Sequence, residues 1–135
     1  FELNNLSPES PIGEMIEKAQ AAMHKGDYDQ TVILCRQSIE KMEDQLGDKQ
    51  AVSAAVVKSR GNREAREAMD VTERFLSLRE TVKSVTHLSA HHSDNHCGFS
   101  RDQAKAILGA TISMLGFYSC AVVHDTAADG HAVNE

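Results

Sequence analysis

From residue 12 to residue 135 the chain contains no proline. Its two prolines, Pro8 and Pro11, both precede the first long apolar pattern. Proline removes a backbone donor and breaks helix interiors, while turn-rich β folds depend on Pro and Gly for punctuation. A proline-free run of this length therefore points to helices. Aromatic residues make up only 4%, with no Trp, so the core must be built from Leu, Ile, Val, Met and Ala. Such side chains suit helix-on-helix packing.

The apolar spacing agrees. Ser7-Pro8 and Ser10-Pro11 each set a capping residue before a proline that fits the first helical position. Ile12, Met15, Ile16, Ala19, Ala22 and Met23 then form one face, closed by Lys25-Gly26. Asp27 and Gln30 restart a helix as a capping box, and Tyr28, Val32, Cys35, Ile39, Met42 and Leu46 alternate steps of four and three. The two helices form an antiparallel hairpin. A short helix is expected near residues 50–58. A longer one starts near Asn62 and runs to Ala90, with the core stripe Ala68, Val71, Phe75, Leu78, Val82, Val85, Ser89 and His92. Ser100 and Gln103 form a second capping box for the last helix. That helix is apolar nearly all round, with faces through Ala104, Ile107, Leu108, Thr111, Leu115 and Tyr118, and through Met114 and Phe117. A third stripe, Gly109, Ser113, Gly116 and Cys120, is small enough for another helix to approach closely.

The expected fold is an all-α, up-and-down four-helix bundle in one domain over residues 1–124, followed by a flexible tail over 125–135. Ala106 to Val123 carries no charge but includes several Gly, Ser and Thr residues, so it is expected to be a buried helix and not a membrane span. The net charge of −6 argues against a general nucleic-acid or membrane-surface binder. Residues 58–83 are the basic exception, with seven basic groups interleaved with five acidic ones, as on a solvated helix face. Three cysteines without close pairing point to a reducing, cytoplasmic setting. Phe1 is not a natural start, so a longer parent protein is expected.

Site chemistry concentrates between the two long helices, in His87-Leu88-Ser89-Ala90-His91-His92-Ser93-Asp94-Asn95-His96-Cys97-Gly98-Phe99. Two histidines one helical turn apart can share a metal ion, and a thiolate suits zinc, so His87, His91, His96 and Cys97 are candidate metal ligands. Histidine also shuttles protons near neutral pH, and a nearby cation steadies developing phosphate charge.

The segment Gly26-Asp27-Tyr28-Asp29-Gln30-Thr31-Val32-Ile33-Leu34-Cys35-Arg36-Gln37-Ser38-Ile39-Glu40 resembles the second helix of HEPN-type domains. So does the order of a His-bearing junction, then Phe99-Ser100-Arg101-Asp102-Gln103-Ala104, then a long apolar helix. The resemblance covers roughly residues 10–122. It implies a four- or five-helix bundle, often dimeric, common in prokaryotic defence systems and in many cases a metal-independent endoribonuclease. The family's catalytic motif places an Arg four to six residues before a His. By location His91 or His92 matches that His, but no Arg stands in the window, and the nearest cations are Lys83 and Arg79. Lysine does not reproduce the bidentate fork of arginine on a phosphate. The resemblance thus implies an assembly module without catalysis, dimerising through the last helix. Its alternatives are an RNA-cleaving enzyme using His91 or His92 with Lys83 or Arg79, and a zinc-binding module.

Overall fold

The computed structural model describes residues 10–90 and 98–133, without the side chains of 88–90 and 119–133. These residues form six helices and no strand: α1 (Pro11–His24), α2 (Tyr28–Leu46), α3 (Lys49–Ser59), α4 (Arg63–Glu67), α5 (Val71–Ala90) and α6 (Arg101–Val133). The all-α expectation holds. The count exceeds the four main helices read from the sequence, because the region before α5 is divided. The short helix expected near 50–58 is α3, and α6 runs on into the stretch read as a tail.

Local chemistry explains the ends. Ser10 caps α1 by accepting from the Gly13 N–H at 3.0 Å, with Pro11 at the first helical position. The turn to α2 is a Schellman arrangement. The Asp27 N–H reaches the Ala22 carbonyl (3.0 Å), and Gly26 takes a φ of 77°. Asp27 then caps α2. Before α5, the Asp70 carboxylate accepts from the Glu73 N–H (2.7 Å) and Glu73 accepts from the Asp70 N–H (3.2 Å). This reciprocal box starts a new helix where the sequence reading runs one continuous helix from Asn62. Ser100 and Gln103 close the expected box at the start of α6.

Helix α2 is the hub, packing against α1, α5 and α6, while α3 lies on α5. Its stripe of Val32, Cys35, Ile39 and Met42 is buried as expected, and so are Thr31, Leu34 and Ser38 beside it. The face of α6 through Ala104, Ile107, Leu108, Leu115 and Tyr118 completes the core, together with Ile12, Ile16 and Ala19 of α1. Phe117 and Ser113 of α6 stay exposed, so this helix is less enclosed than its composition suggests.

Helix α5 reverses the expectation. Most of the stripe assigned to the core faces outward: Val71 is 69% exposed, Phe75 36%, Leu78 47% and Val85 46%, while Val82 is half-buried against the core as expected. The inward positions are Leu76, Arg79 and Thr86, and Arg79 is fully buried. The apolar period is real, but this bundle does not use it to cover α2. Among the described residues, no helix is long and apolar enough to cross a membrane.

Candidate functional site: a polar seam leading to the histidine junction

The edge of α5 that meets α2 presents Arg79, Lys83 and His87, each one turn after the last, running from buried through half-buried to exposed. Opposite them, α2 and the following turn offer Asp48, Glu43 and the Arg36–Glu40 pair. The helices run antiparallel, so the residues meet in register. Arg79 makes a fork on Asp48, with Nη2 at 2.7 Å from Oδ1 and Nη1 at 3.0 Å from Oδ2. Its guanidinium also lies over the Tyr118 ring, 4.7 Å from the centroid. Burial works against the Arg79 charge, but the hydrogen bonds and charge of Asp48 more than offset it and raise its pKa. Burial likewise pushes the Tyr118 hydroxyl up, against the pull of the Arg79 charge.

One turn on, Lys83 Nζ donates to Glu43 Oε2 at 3.1 Å, and Glu43 is itself buried. Glu43 Oε1 and Arg79 Nε are buried without a hydrogen-bond partner among the described residues. Glu43 and Lys83 also border an open cavity of about 570 Å³ that reaches Lys49, Arg60 and Glu80 between α3 and α5.

The last rung belongs to His87. Arg36 Nη1 stands 3.0 Å from His87 Nδ1, and Arg36 Nε donates to Glu40 at 2.6 Å. A guanidinium has only donors, so Nδ1 is the acceptor in this contact.

The far end of the junction is also tied to α2. Gly98 adopts a φ of 78°, and the Phe99 N–H donates to Asp29 Oδ1 at 2.8 Å. A Cβ on Gly98 would come within 3.2 Å of the Asp29 carboxylate, so both backbone freedom and close approach require glycine there. Asp29 and Arg36 are about two turns apart on α2, roughly 10 Å along its axis. His87 and Phe99 therefore each meet a side chain of the first half of α2.

The candidate residues read from the sequence divide accordingly. His91, His92, His96 and Cys97 lie outside the described residues, and of the metal candidates only His87 is placed. Among the described residues, no group of three or more His, Cys, Asp or Glu side chains is arranged to hold a metal ion. Arg79 and Lys83 are placed with their charges directed at Asp48 and Glu43, so reaching a phosphate would mean giving up those partners. Asp48, Glu43, Arg36 and Asp29 escape the sequence reading. The available signal was the four-residue spacing of Arg79, Lys83 and His87, which matches acids on the neighbouring helix.

Elsewhere Cys35 is buried in the α2–α6 contact. Burial pushes its thiol up to about 11, partly opposed by a hydrogen bond with Thr111. A thiol held neutral in this way is a packing group and not a nucleophile. Comparison of the chain with protein-family models, with curated proteins and with solved structures finds no match.

Proposed function

We propose that the chain is a non-catalytic, HEPN-like helical module whose task is assembly, and that it pairs with a second copy of itself through the outer faces of α5 and α6. The carrying observation is the outward apolar stripe of α5. Phe75 stacks on Phe117 of α6 at the surface, with ring centroids 4.9 Å apart and planes 15° from parallel. Val71, Leu78 and Val85 extend the stripe along α5. The core closes without any of them, so their period serves a contact outside this bundle.

The surroundings favour a copy of the same chain over a charged partner. The exposed positions of α5 from Phe75 to Val85 are Phe75, Leu78, Thr81, Ser84 and Val85, none of them charged. From Ala106 to Phe117 the exposed positions of α6 are Ala106, Ser113 and Phe117, again uncharged. In a chain of net charge −6, two such faces related by a two-fold axis meet without like-charge repulsion.

Sedimentation velocity across a concentration series tests this. The wild-type chain should move from monomer to dimer as concentration rises, and a Phe75→Glu/Leu78→Glu variant should stay monomeric with its helicity intact. A wild-type chain that remains monomeric at high micromolar concentration overturns the proposal.

A further inference from the structure

A large open cleft lies at the other end of α6. It has a volume of about 940 Å³ and runs between the α1–α2 turn and the first two turns of α6. Its polar lining is basic: His24 and Lys25 from the end of α1, and Arg101 and Lys105 one turn apart on α6. Tyr28 adds its hydroxyl at the rim, near Gly26. Among the described residues, no Asp or Glu lines the cleft.

Arg36, Lys58, Arg63, Arg79 and Lys83 all have carboxylate partners. Lys25, Arg101 and Lys105 have no ion pair among the described residues. An acidic chain has thus placed three cations along one cleft, and Arg101 and Lys105 repel each other along one helix face. The floor is different in kind. Leu108 is buried and Met23 half-buried beneath the basic rim. An apolar floor under a few convergent charged donors is the general form of a site for an organic ligand with an anionic group.

We infer that this cleft binds an organic phosphate, with the phosphate held by Arg101, Lys105 and Lys25 and the apolar body of the ligand resting on Leu108 and Met23. A phosphate dianion fits a guanidinium fork flanked by ammonium groups better than a single carboxylate does. The site is separate from the assembly surface. Arg101 and Phe117 are roughly 24 Å apart along the helix axis.

The test is an amide-resolved NMR titration at low salt with phenyl phosphate, inorganic phosphate, benzoate and a short single-stranded RNA as probes. Phenyl phosphate should give saturable shifts at Lys25, Gly26 and Arg101–Lys105, binding more tightly than inorganic phosphate or benzoate. Arg101→Gln/Lys105→Gln should weaken it by about tenfold or more, and Lys41→Gln, away from the cleft, should leave it unchanged. Both altered side chains are exposed, so circular dichroism should show the fold intact. Shifts spread over every lysine-bearing face, equal affinity for benzoate, or an unchanged double variant would each overturn the assignment. So would RNA binding that tightens with oligonucleotide length, which would identify a backbone-tracking surface instead of a small-ligand site.

Discussion

Helices α2 and α5 are of similar length, carry comparable apolar periods and lie side by side, yet they use those periods in opposite ways. In α2 the regular stripe is the core: Val32, Cys35, Ile39 and Met42 are all buried. In α5 most of the regular stripe is the surface, only Val82 packing on the core, and the inward positions are Leu76, Arg79 and Thr86 with Lys83 half-buried. A hydrophobic period shows that a face seeks cover without naming what covers it. Where two adjacent helices both turn apolar faces inward, a bundle closes on itself. Here one helix meets its neighbour through paired charges and keeps its apolar face for the exterior.

The most severe test of the contrast puts one substitution on each stripe. Ile39→Asp places an unpaired charge at a fully buried position of α2 and should cost several kcal/mol, enough to abolish cooperative unfolding by circular dichroism. Leu78→Asp on the outward stripe should change monomer stability by only about 0.5 kcal/mol. A large loss at Leu78, measured below the dimer's dissociation concentration, would show that α5 contributes its apolar face to the monomer core.

The polar seam comes next. Arg79→Ala leaves Asp48 without its fork and opens space beside Tyr118, so a urea titration should show a loss of about 3 kcal/mol. That figure allows for the partial solvent access of Asp48. Arg79→Met with Asp48→Leu should recover most of it, because a well-packed apolar pair often replaces a buried ion pair at little cost. If the single variant is as stable as wild type, the seam is ornamental and the two helices differ less than their contacts suggest.

A smaller effect comes from pH and belongs to α2. The Cys35 thiol has a pKa of about 11 in the fold against an ordinary 9.0. Below pH 9 the thiol is neutral in folded and unfolded chains alike, and its contribution is fully present. Between pH 9 and 11 the unfolded thiol ionises while the folded one does not, so stability falls. The stability advantage of wild type over Cys35→Ala should therefore shrink by about 2–3 kcal/mol over this range in urea titrations. A constant difference would mean that the thiol is accessible to solvent. A loss smaller than those of the seam and the thiol is expected at the start of α5, where Asp70→Ala removes the cap and should cost about 1 kcal/mol in the same assay.

Much of the frame was legible in the sequence. Ser10-Pro11, Asp27 and Ser100-Gln103 mark helix starts because their side chains answer orphan backbone donors within a few residues, a purely local matter. The Asp70–Glu73 box was equally local, but the apolar pattern running through it masked it. The inversion of α5 was not legible, because Arg79 lies on a helix rich in alternating charges. Its burial depends on Asp48 standing across from it, a relation between positions 31 residues apart. The histidine junction was legible as an address. Its supports, Arg36 and Asp29, were not, since each meets the junction only once α2 has been laid beneath it.

The break between α4 and α5 also bears on how this chain can vary in length. Each residue added to or removed from a helix turns everything beyond it by about 100°. Within α5, one such change would swing Arg79 and Lys83 away from their acids and carry part of the outward stripe inward, disturbing two surfaces at once. At Ala68–Asp70 the same change falls outside both helices, where the Asp70–Glu73 box restarts α5 in its own phase. Related chains should therefore differ in length at this break and keep the spacing from Asp70 to His87 unaltered.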